Sequence, residues 1–546
     1  MSLTVLVAYG RRLVIPLAAL VLFLVVCMAP RASGMEWSEL NTAPDEAAHY
    51  VTSLMIRSYL TDALGSNPRA FAEQYYLHYP KVAFGIWPPL FHLSLGVWLL
   101  LTGASLSSAL LFVSLTTFVL TLVLFLAGRE SLGAPLALAA ALLFATSASV
   151  QTAATSVMMD MLCALLTLCA TLAFARYLDS RRTAHALAFA VFAAAGLLTK
   201  YNALALVFVP PIAIVAARQW SVIKRPNFWL MPAVVAVLCA PWYLTHLDMV
   251  LYASEPLPPP GAWVLAMHAN NATLIESVGI VAVPLTLIGV IAYVVRRRTD
   301  HALWCSVFAL LVAVWGFHSF VYAVSGARYL LAAIAVMALF AAAGLHTLVS
   351  IFPWPRTPET AHRVRMAAGL LAVLVLLTWR APPRITRGFA EAAATVLRSP
   401  RPADSTTLVS SDPIGEGAFV AYFATHEDER RSLVLRGSKL LASGSWMGVD
   451  YQSRYADRAS LLTSLDRARV AYVVLDQQSD EAHHRLLDAA LQESGDWMIV
   501  RTVAARSQRG AASDVRVYGR VRPLPPGERS FELDTKRSLG YDVRTR

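Results

Sequence analysis

Residues 13–30, LVIPLAALVLFLVVCMAP, follow the basic pair Arg11-Arg12 and contain no charged side chain. A basic pair before an apolar run resembles the start of a secretion signal. The APRASG that follows, however, is a poor match to a small-residue cleavage site, and similar apolar runs recur as far as residue 379. The segment therefore reads as a retained first membrane helix. A hydrocarbon layer about 30 Å thick needs roughly 20 apolar residues per helical crossing. By that measure the candidate crossings are 13–30, 107–127, 134–150, 157–177, 185–199, 202–217, 228–247, 274–295, 301–323, 328–350 and 367–379.

Composition agrees: 57% of the 546 residues are apolar and 15% are charged, against roughly 45–50% and 25% in soluble domains. The net charge of +11 is spread over short loops and the C-terminal region. A nucleic-acid surface would gather its cations into a stripe or patch, so the bilayer is the expected partner and nucleic acid is not. Cys27, Cys163, Cys169, Cys239 and Cys305 all lie in apolar segments without CxxC spacing, and read as small core residues. The expected architecture is a polytopic α-helical membrane domain, 1–379, with a large first loop at 31–86 carrying amphipathic helices. A soluble α/β domain, 380–546, follows.

Basic residues resist translocation, so short loops rich in Lys and Arg stay on the cytoplasmic side. Arg11-Arg12, Arg176 with Arg181-Arg182, Arg218 with Lys224-Arg225, Arg296 to Arg298, and Arg356 with Arg363 and Arg365 fall between apolar segments with that sidedness. The N-terminus is then cytoplasmic. Loop 31–86, the turns at Asp160 and Lys200, the turn SGAR ending at Arg328, and the C-terminal domain share the outer face, periplasmic in a Gram-negative cell. Counting 88–102 as a full crossing would break this parity. It reads as short, re-entrant or interfacial, or as one of an unresolved pair, giving eleven to thirteen crossings.

The outer-face residues carry the chemistry. NTAPDEAAHY, 41–50, places Asp45 and Glu46 after Pro44, where a helix can begin and where its dipole favours carboxylates. In a helix, Asp45 and His49 share a face, which suits either an acid/base pair or ligands of a divalent cation drawn from Asp45, Glu46 and His49. YYLHYPKVAFGIWPPLFHLSLGVWLL, 75–100, brings Lys81 and Trp87 to the membrane boundary. Aromatics there anchor, and a cation there can pair with a lipid phosphate. SVMMDML presents Asp160, GLLTKYN Lys200 and SGARYLL Arg328 beside hydrocarbon, where ionisable groups are costly and mark function unless they snorkel. Carboxylates and cations on one membrane surface suit a lipid phosphate as leaving group and a carboxylate as base.

The order of these motifs resembles the membrane glycosyltransferases of the GT-C class, in the protein O-mannosyltransferase-like and aminoarabinose-transferase-like branch. Asp45-Glu46 stands in the first outer loop, then Trp87-Pro88-Pro89-Leu90, then Asp160 after ATSASVQTAATSVMM, then Thr199-Lys200-Tyr201 and Arg328-Tyr329-Leu330-Leu331. The resemblance covers roughly residues 10–350. It implies Asp45 as catalytic base, assisted by Glu46, over a cavity holding a polyprenyl-phosphate sugar. It also implies Lys200 and Arg328 on the phosphate and inverting transfer to an acceptor lipid, glycan or protein. Lys81 is added to that phosphate set from its place at the boundary. The family often has a basic residue or His directly before the Pro-Pro step, whereas this chain has Trp87.

In the C-terminal region, TTLVSSD, VAYVVLD and DWMIVRTVAA read as strands and AHHRLLDAALQES as a helix. SDPIGEGAF lacks a dinucleotide fingerprint and reads as a loop, and the charged tail after Pro523 as poorly packed. Two rival classes remain: a transporter or flippase of lipid-linked sugars, expected to show internal repeats with paired broken helices, of which no convincing repeat is seen, and a non-catalytic envelope assembly protein.

Overall fold

The computed structural model describes residues 3–32, 34, 39, 40, 42–83, 85–247, 259–296, 300–321, 324–351, 387–402, 404–427, 430–444, 451–506, 512–524, 528–533 and 543–545. The apolar run read first lies in α1 (Leu3–Phe23), prolonged by Leu24–Met28 and Ala29–Ala32. The first loop then forms α2 (Pro44–Asp62) and α3 (Pro68–His78). Pro44 opens α2 at the position where a missing N–H costs nothing, with Asp45 and Glu46 in its first turn.

The membrane region continues through α4 (Leu90–Thr102), α5 (Leu106–Leu132), α6 (Ala134–Thr146), α7 (Ala148–Ala154), α8 (Asp160–Ser180) and α9 (Thr183–Thr199). It is completed by α10 (Val209–Ala217), α11 (Pro226–Thr245), α12 (Ala262–Val278), α13 (Ala282–Val290), α14 (His301–Gly316) and α15 (Leu331–Ile351). Among the described residues six helices are long and apolar enough to cross a membrane, or eight if each of two bent pairs is one span; 90–102, 183–199 and 201–217 are shorter apolar helices. At about 1.5 Å per residue, the 13 residues of α4 fall short of a ~30 Å layer, in line with a short segment at 88–102.

Two expected crossings are not straight. The 134–150 segment bends by 68° between α6 and α7, and the 274–295 segment is broken by a 101° bend between α12 and α13. At the second break Gly279 takes φ +84°, a left-handed conformation that ends α12 and redirects the chain. The crossing expected at 367–379 and the boundary at 379/380 lie outside the described residues.

Small residues let helices approach where lipid supplies no hydrophobic drive. Gly289 on α13 and Gly344 on α15 lie against each other's backbones: a Cβ at Gly344 would meet Leu285 O, and one at Gly289 would meet Phe340 O. Turns far from Asp45 are tied to one another. Arg181 Nη2 donates to Gln219 Oε1 at 2.6 Å and Asn227 Nδ2 to Arg181 O at 2.9 Å.

The C-terminal domain opens with α16 (Phe389–Arg398) and contains a five-stranded mixed sheet. Its strands are β1 (Thr406–Ser410), β2 (Leu433–Arg436), β5 (Val470–Asp476), β6 (Trp497–Arg506) and β7 (Ala512–Arg520), ordered β2-β1-β5-β7-β6. Strands β2, β1 and β5 are parallel, while β7 pairs antiparallel with both β5 and β6. Two ribbons, β3 (Ala442–Ser443) with β4 (Gln452–Ser453) and β8 (Phe531–Leu533) with β9 (Val543–Thr545), stand beside it.

The α/β reading of this region holds, with two corrections. The stretch read as a loop at SDPIGEGAF is the start of α17 (Pro413–His426): Asp412 caps it by accepting from Gly415 N at 2.7 Å, and Pro413 fills its first position. Its glycines reflect packing, since a Cβ on Gly417 would sit 2.8 Å from Ala47 Cβ of α2 and 3.1 Å from Lys81 Cε. The tail is partly packed, because Phe531 and Leu533 are buried in the sheet's outer core.

Candidate active site

A cavity of about 900 Å³ lies between the membrane domain and the C-terminal domain. Asp45, Lys81, Asp160 and Arg328 line it from the membrane side, and Arg436 and Lys439 from the soluble side. Four residues separated by up to 283 positions in sequence therefore reach one space. Three of them are placed by helix ends, Asp45 in the first turn of α2, Asp160 in the first turn of α8 and Arg328 just before α15, while Lys81 follows α3; Lys200, at the end of α9, lies behind the cavity.

The charges are paired. Arg328 Nη1 lies 3.4 Å from Asp45 Oδ2, and its Nη2 donates to Tyr329 Oη at 2.8 Å. Lys200 Nζ donates to Asp160 Oδ1 at 2.6 Å, with their side chains 8% and 2% exposed, so Asp160 meets the cavity wall with its carboxylate committed to a nearly buried pair. Tyr329 joins the two pairs, since Lys200 Nζ and Arg328 Cζ lie 4.8 and 4.9 Å from its ring centroid. A small void of about 30 Å³ behind the main cavity is lined by Asp160, Lys200, Asn202, His318 and Tyr329 among others. Asn202 Nδ2 and His318 Nε2 are 3.3 Å apart there.

The remaining sequence candidates face elsewhere. Glu46 does not line the cavity: its carboxylate accepts from Thr42 N at 3.1 Å and from Val157 N at 2.8 Å, fastening the first loop to the turn before α8. His49 Nδ1 meets His92 Nε2 at 3.0 Å, and the His49 ring packs 4.2 Å from Trp87. Burial, then the neighbouring His92, Lys200 and Arg328, holds His49 well below the usual imidazole range. Trp87 lines a separate apolar groove of about 230 Å³ beside Phe71 and Trp242.

Asp45, Glu46 and His49, read from the sequence as either an acid/base set or ligands of a divalent cation, point in different directions. The three side chains turn to Arg328, to backbone amides and to His92, and no group of three His, Cys, Asp or Glu that could hold a metal occurs among the described residues.

Lys81 is buried under the soluble domain, and Nζ donates to Pro413 O at 3.2 Å. Burial, and next the Arg436 cation, pushes it down to about 7, while Glu416 and Asp45 pull the other way.

Several functional neighbours have no local sequence signal. Glu416 is fully buried in α17 and accepts from Arg436 Nε at 2.8 Å, from Ser438 N at 2.9 Å and from Ser438 Oγ at 2.5 Å. Glu39 accepts from Arg387 N and Ala390 N, both at 2.8 Å, joining the first loop to the start of the soluble domain.

Residues 87–244 match the family model described as dolichyl-phosphate-mannose-protein mannosyltransferase, a stretch holding Trp87, Asp160 and Lys200 but neither Asp45 nor Arg328. Among solved structures the chain is similar to ArnT from Cupriavidus metallidurans in the apo state, with TM-score 0.59 and 15% identity over 96% of this chain and 100% of that one. The same enzyme bound to undecaprenyl phosphate matches with TM-score 0.59 and 15% identity over 95% and 100%. The oligosaccharyltransferase of Archaeoglobus fulgidus, tethered with an acceptor peptide, matches with TM-score 0.50 and 13% identity over 94% and 75%. No curated protein matches in sequence. The chain is a multi-pass membrane protein that shares the fold of the ArnT and oligosaccharyltransferase structures, and its match to the mannosyltransferase family model is confined to residues 87–244.

Proposed function

We propose that this protein transfers a sugar from a polyprenyl-phosphate donor to an acceptor hydroxyl or amine, with Asp45 as general base. The observation that carries the reading is the difference among the carboxylates. Asp160 is committed to Lys200 and Glu46 is held by backbone amides, whereas Asp45 opens onto the cavity with its side chain 18% exposed. A base must reach the proton that it takes, and the greater exposure of Asp45 to the cavity, against Asp160 and Glu46, supports it in that role.

In this reading the acceptor lone pair forms a bond to the anomeric carbon while its proton passes to the Asp45 carboxylate. The bond from that carbon to the phosphate oxygen breaks, its electron pair leaves with polyprenyl phosphate, and the anomeric configuration inverts. Arg328 and Lys81 line the cavity and would take the charge developing on the phosphate. Lys200 acts through Asp160 and Tyr329, and Glu46 through the loop it fastens, so both are positioning residues. The fold shared with an enzyme bound to undecaprenyl phosphate supports the donor class. The spread of basic residues over alternate loops supports a cytoplasmic N-terminus, with the cavity and soluble domain on the outer face.

The test uses purified full-length protein with a panel of polyprenyl-phosphate-linked hexoses and pentoses, measuring release of polyprenyl phosphate in the presence of envelope extract as acceptor. Asp45→Asn is expected to abolish release while leaving thermal unfolding unchanged. Full turnover by that variant would remove Asp45 as base, and movement of the donor across vesicles without release would replace the enzyme reading with a flippase.

A further inference from the structure

The wall of the cavity opposite Asp45 belongs to the soluble domain, and its construction is that of a ligand site. From the central strand β1 the chain passes to β2 on one side and reaches β5 on the other, so the parallel connections diverge between β1 and β5. Open α/β sheets bind ligands outside the carboxyl ends of their strands near such a divergence. Pro413 after β1, Ser438 and Lys439 after β2, and Glu481 beyond β5 all line the cavity. The domain therefore presents the functional edge of its sheet to the reaction space.

That edge is cationic and fixed. Arg436 ends β2 with its side chain 10% exposed, held by the fully buried Glu416, which also clamps the amide and hydroxyl of Ser438. Lys81 arrives from the first loop, and Lys439, half-buried, lies within the electrostatic reach of Lys81. Arg436 is ion-paired with Glu416, and Lys81 lies within reach of both Glu416 and Asp45. Glu481 also lines the cavity, and burial and then the carboxylates Glu416, Asp412 and Asp476 raise its carboxyl above the usual range.

We propose that Lys439 of the soluble domain, carried on the turn that Glu416 holds through Ser438 and backed by Arg436 and Lys81, forms a phosphate-binding subsite that completes the cavity. The inference rests on the glycosyl-transfer reading for its ligand class, since phosphate could arrive as the donor's phosphodiester or as a phosphate group on the acceptor. Burial, and next the Arg436 cation, depress Lys81, and an anion bound beside it would favour its protonated form. The domain is then part of the binding machinery as well as a cover.

The experiment measures equilibrium binding to detergent-purified full-length protein, without turnover. Undecaprenyl phosphate is titrated first, and glycerol phosphate is then titrated into protein saturated with undecaprenyl phosphate. Losing a charge-assisted contact should weaken binding by about tenfold or more, and Lys439→Ala is expected to do so in one of the two titrations. Lys439→Arg should retain affinity to within about threefold. Loss in the first titration identifies the donor phosphate as occupant, and loss in the second identifies the acceptor's. Unchanged binding in both titrations would overturn the subsite. A catalytically silent wild type would defeat the proposed function yet leave this binding result standing.

Discussion

Replacing Lys200 by Met tests the nearly buried ion pair directly. The variant keeps most of the side-chain volume and removes the charge, leaving Asp160 2% exposed with Oδ1 deprived of a donor 2.6 Å away. Asp160 Oδ2 already lacks a hydrogen-bond partner among the described residues, so the carboxylate has little else to rely on. At 2.6 Å and an effective dielectric near 20, Coulomb attraction is at most ~6 kcal/mol, and desolvation offsets part of it. Removing one partner of a buried pair typically costs about 3–5 kcal/mol. Spread over roughly 350 membrane-domain residues at ~2.1 cal/mol/K each, this corresponds to a fall of about 4–7 °C in apparent Tm. Differential scanning fluorimetry in one detergent suffices as the assay. The double variant Asp160→Asn/Lys200→Met should recover most of the loss, because no unpaired charge remains. A shift under about 1 °C for the single variant, or a double variant no better than the single, would refute the buried-pair argument.

Two other predictions use the soluble-domain contact. Lys81, which faces Asp45, Glu416, Arg436 and Lys439, is cationic below about 7 and neutral above it. Affinity for a sugar-linked polyprenyl phosphodiester, which does not titrate near neutrality, should therefore fall as pH rises through that value, and Lys81→Met should flatten the profile; binding titrations across the range check both. Gly417→Ala places a methyl group 2.8 Å from Ala47 Cβ and 3.1 Å from Lys81 Cε, so the domain must shift away from α2. The expected cost is about 1–3 kcal/mol, read as a lower Tm together with reduced donor affinity.

The four ionisable residues around the cavity and the small void behind it were legible in the sequence for one physical reason. An isolated Asp, Lys or Arg beside hydrocarbon is expensive, so Asp160, Lys200 and Arg328 stand out in apolar surroundings, and loop sidedness groups them with Asp45. The partnerships among them were not legible. That Lys200 would turn to Asp160 rather than into the cavity depends on how α8 and α9 pack. Glu416 and Arg436 gave no signal, because in a soluble domain charged residues are common and only their burial distinguishes them. The break within 274–295 was hidden for a related reason: mean hydropathy is blind to Gly279, whose positive φ redirects the helix.

The Glu39 carboxylate that receives Arg387 N and Ala390 N has a practical consequence for building chimaeras. A soluble domain transplanted at its sequence boundary would arrive without the residue that receives those amides. It would also lack the Ala47 and Lys81 surface against which Gly417 is fitted. The exchangeable module is therefore discontinuous, comprising the soluble domain together with residues 39–81. Since that segment contains Asp45, exchanging the soluble domain would carry the proposed base with it.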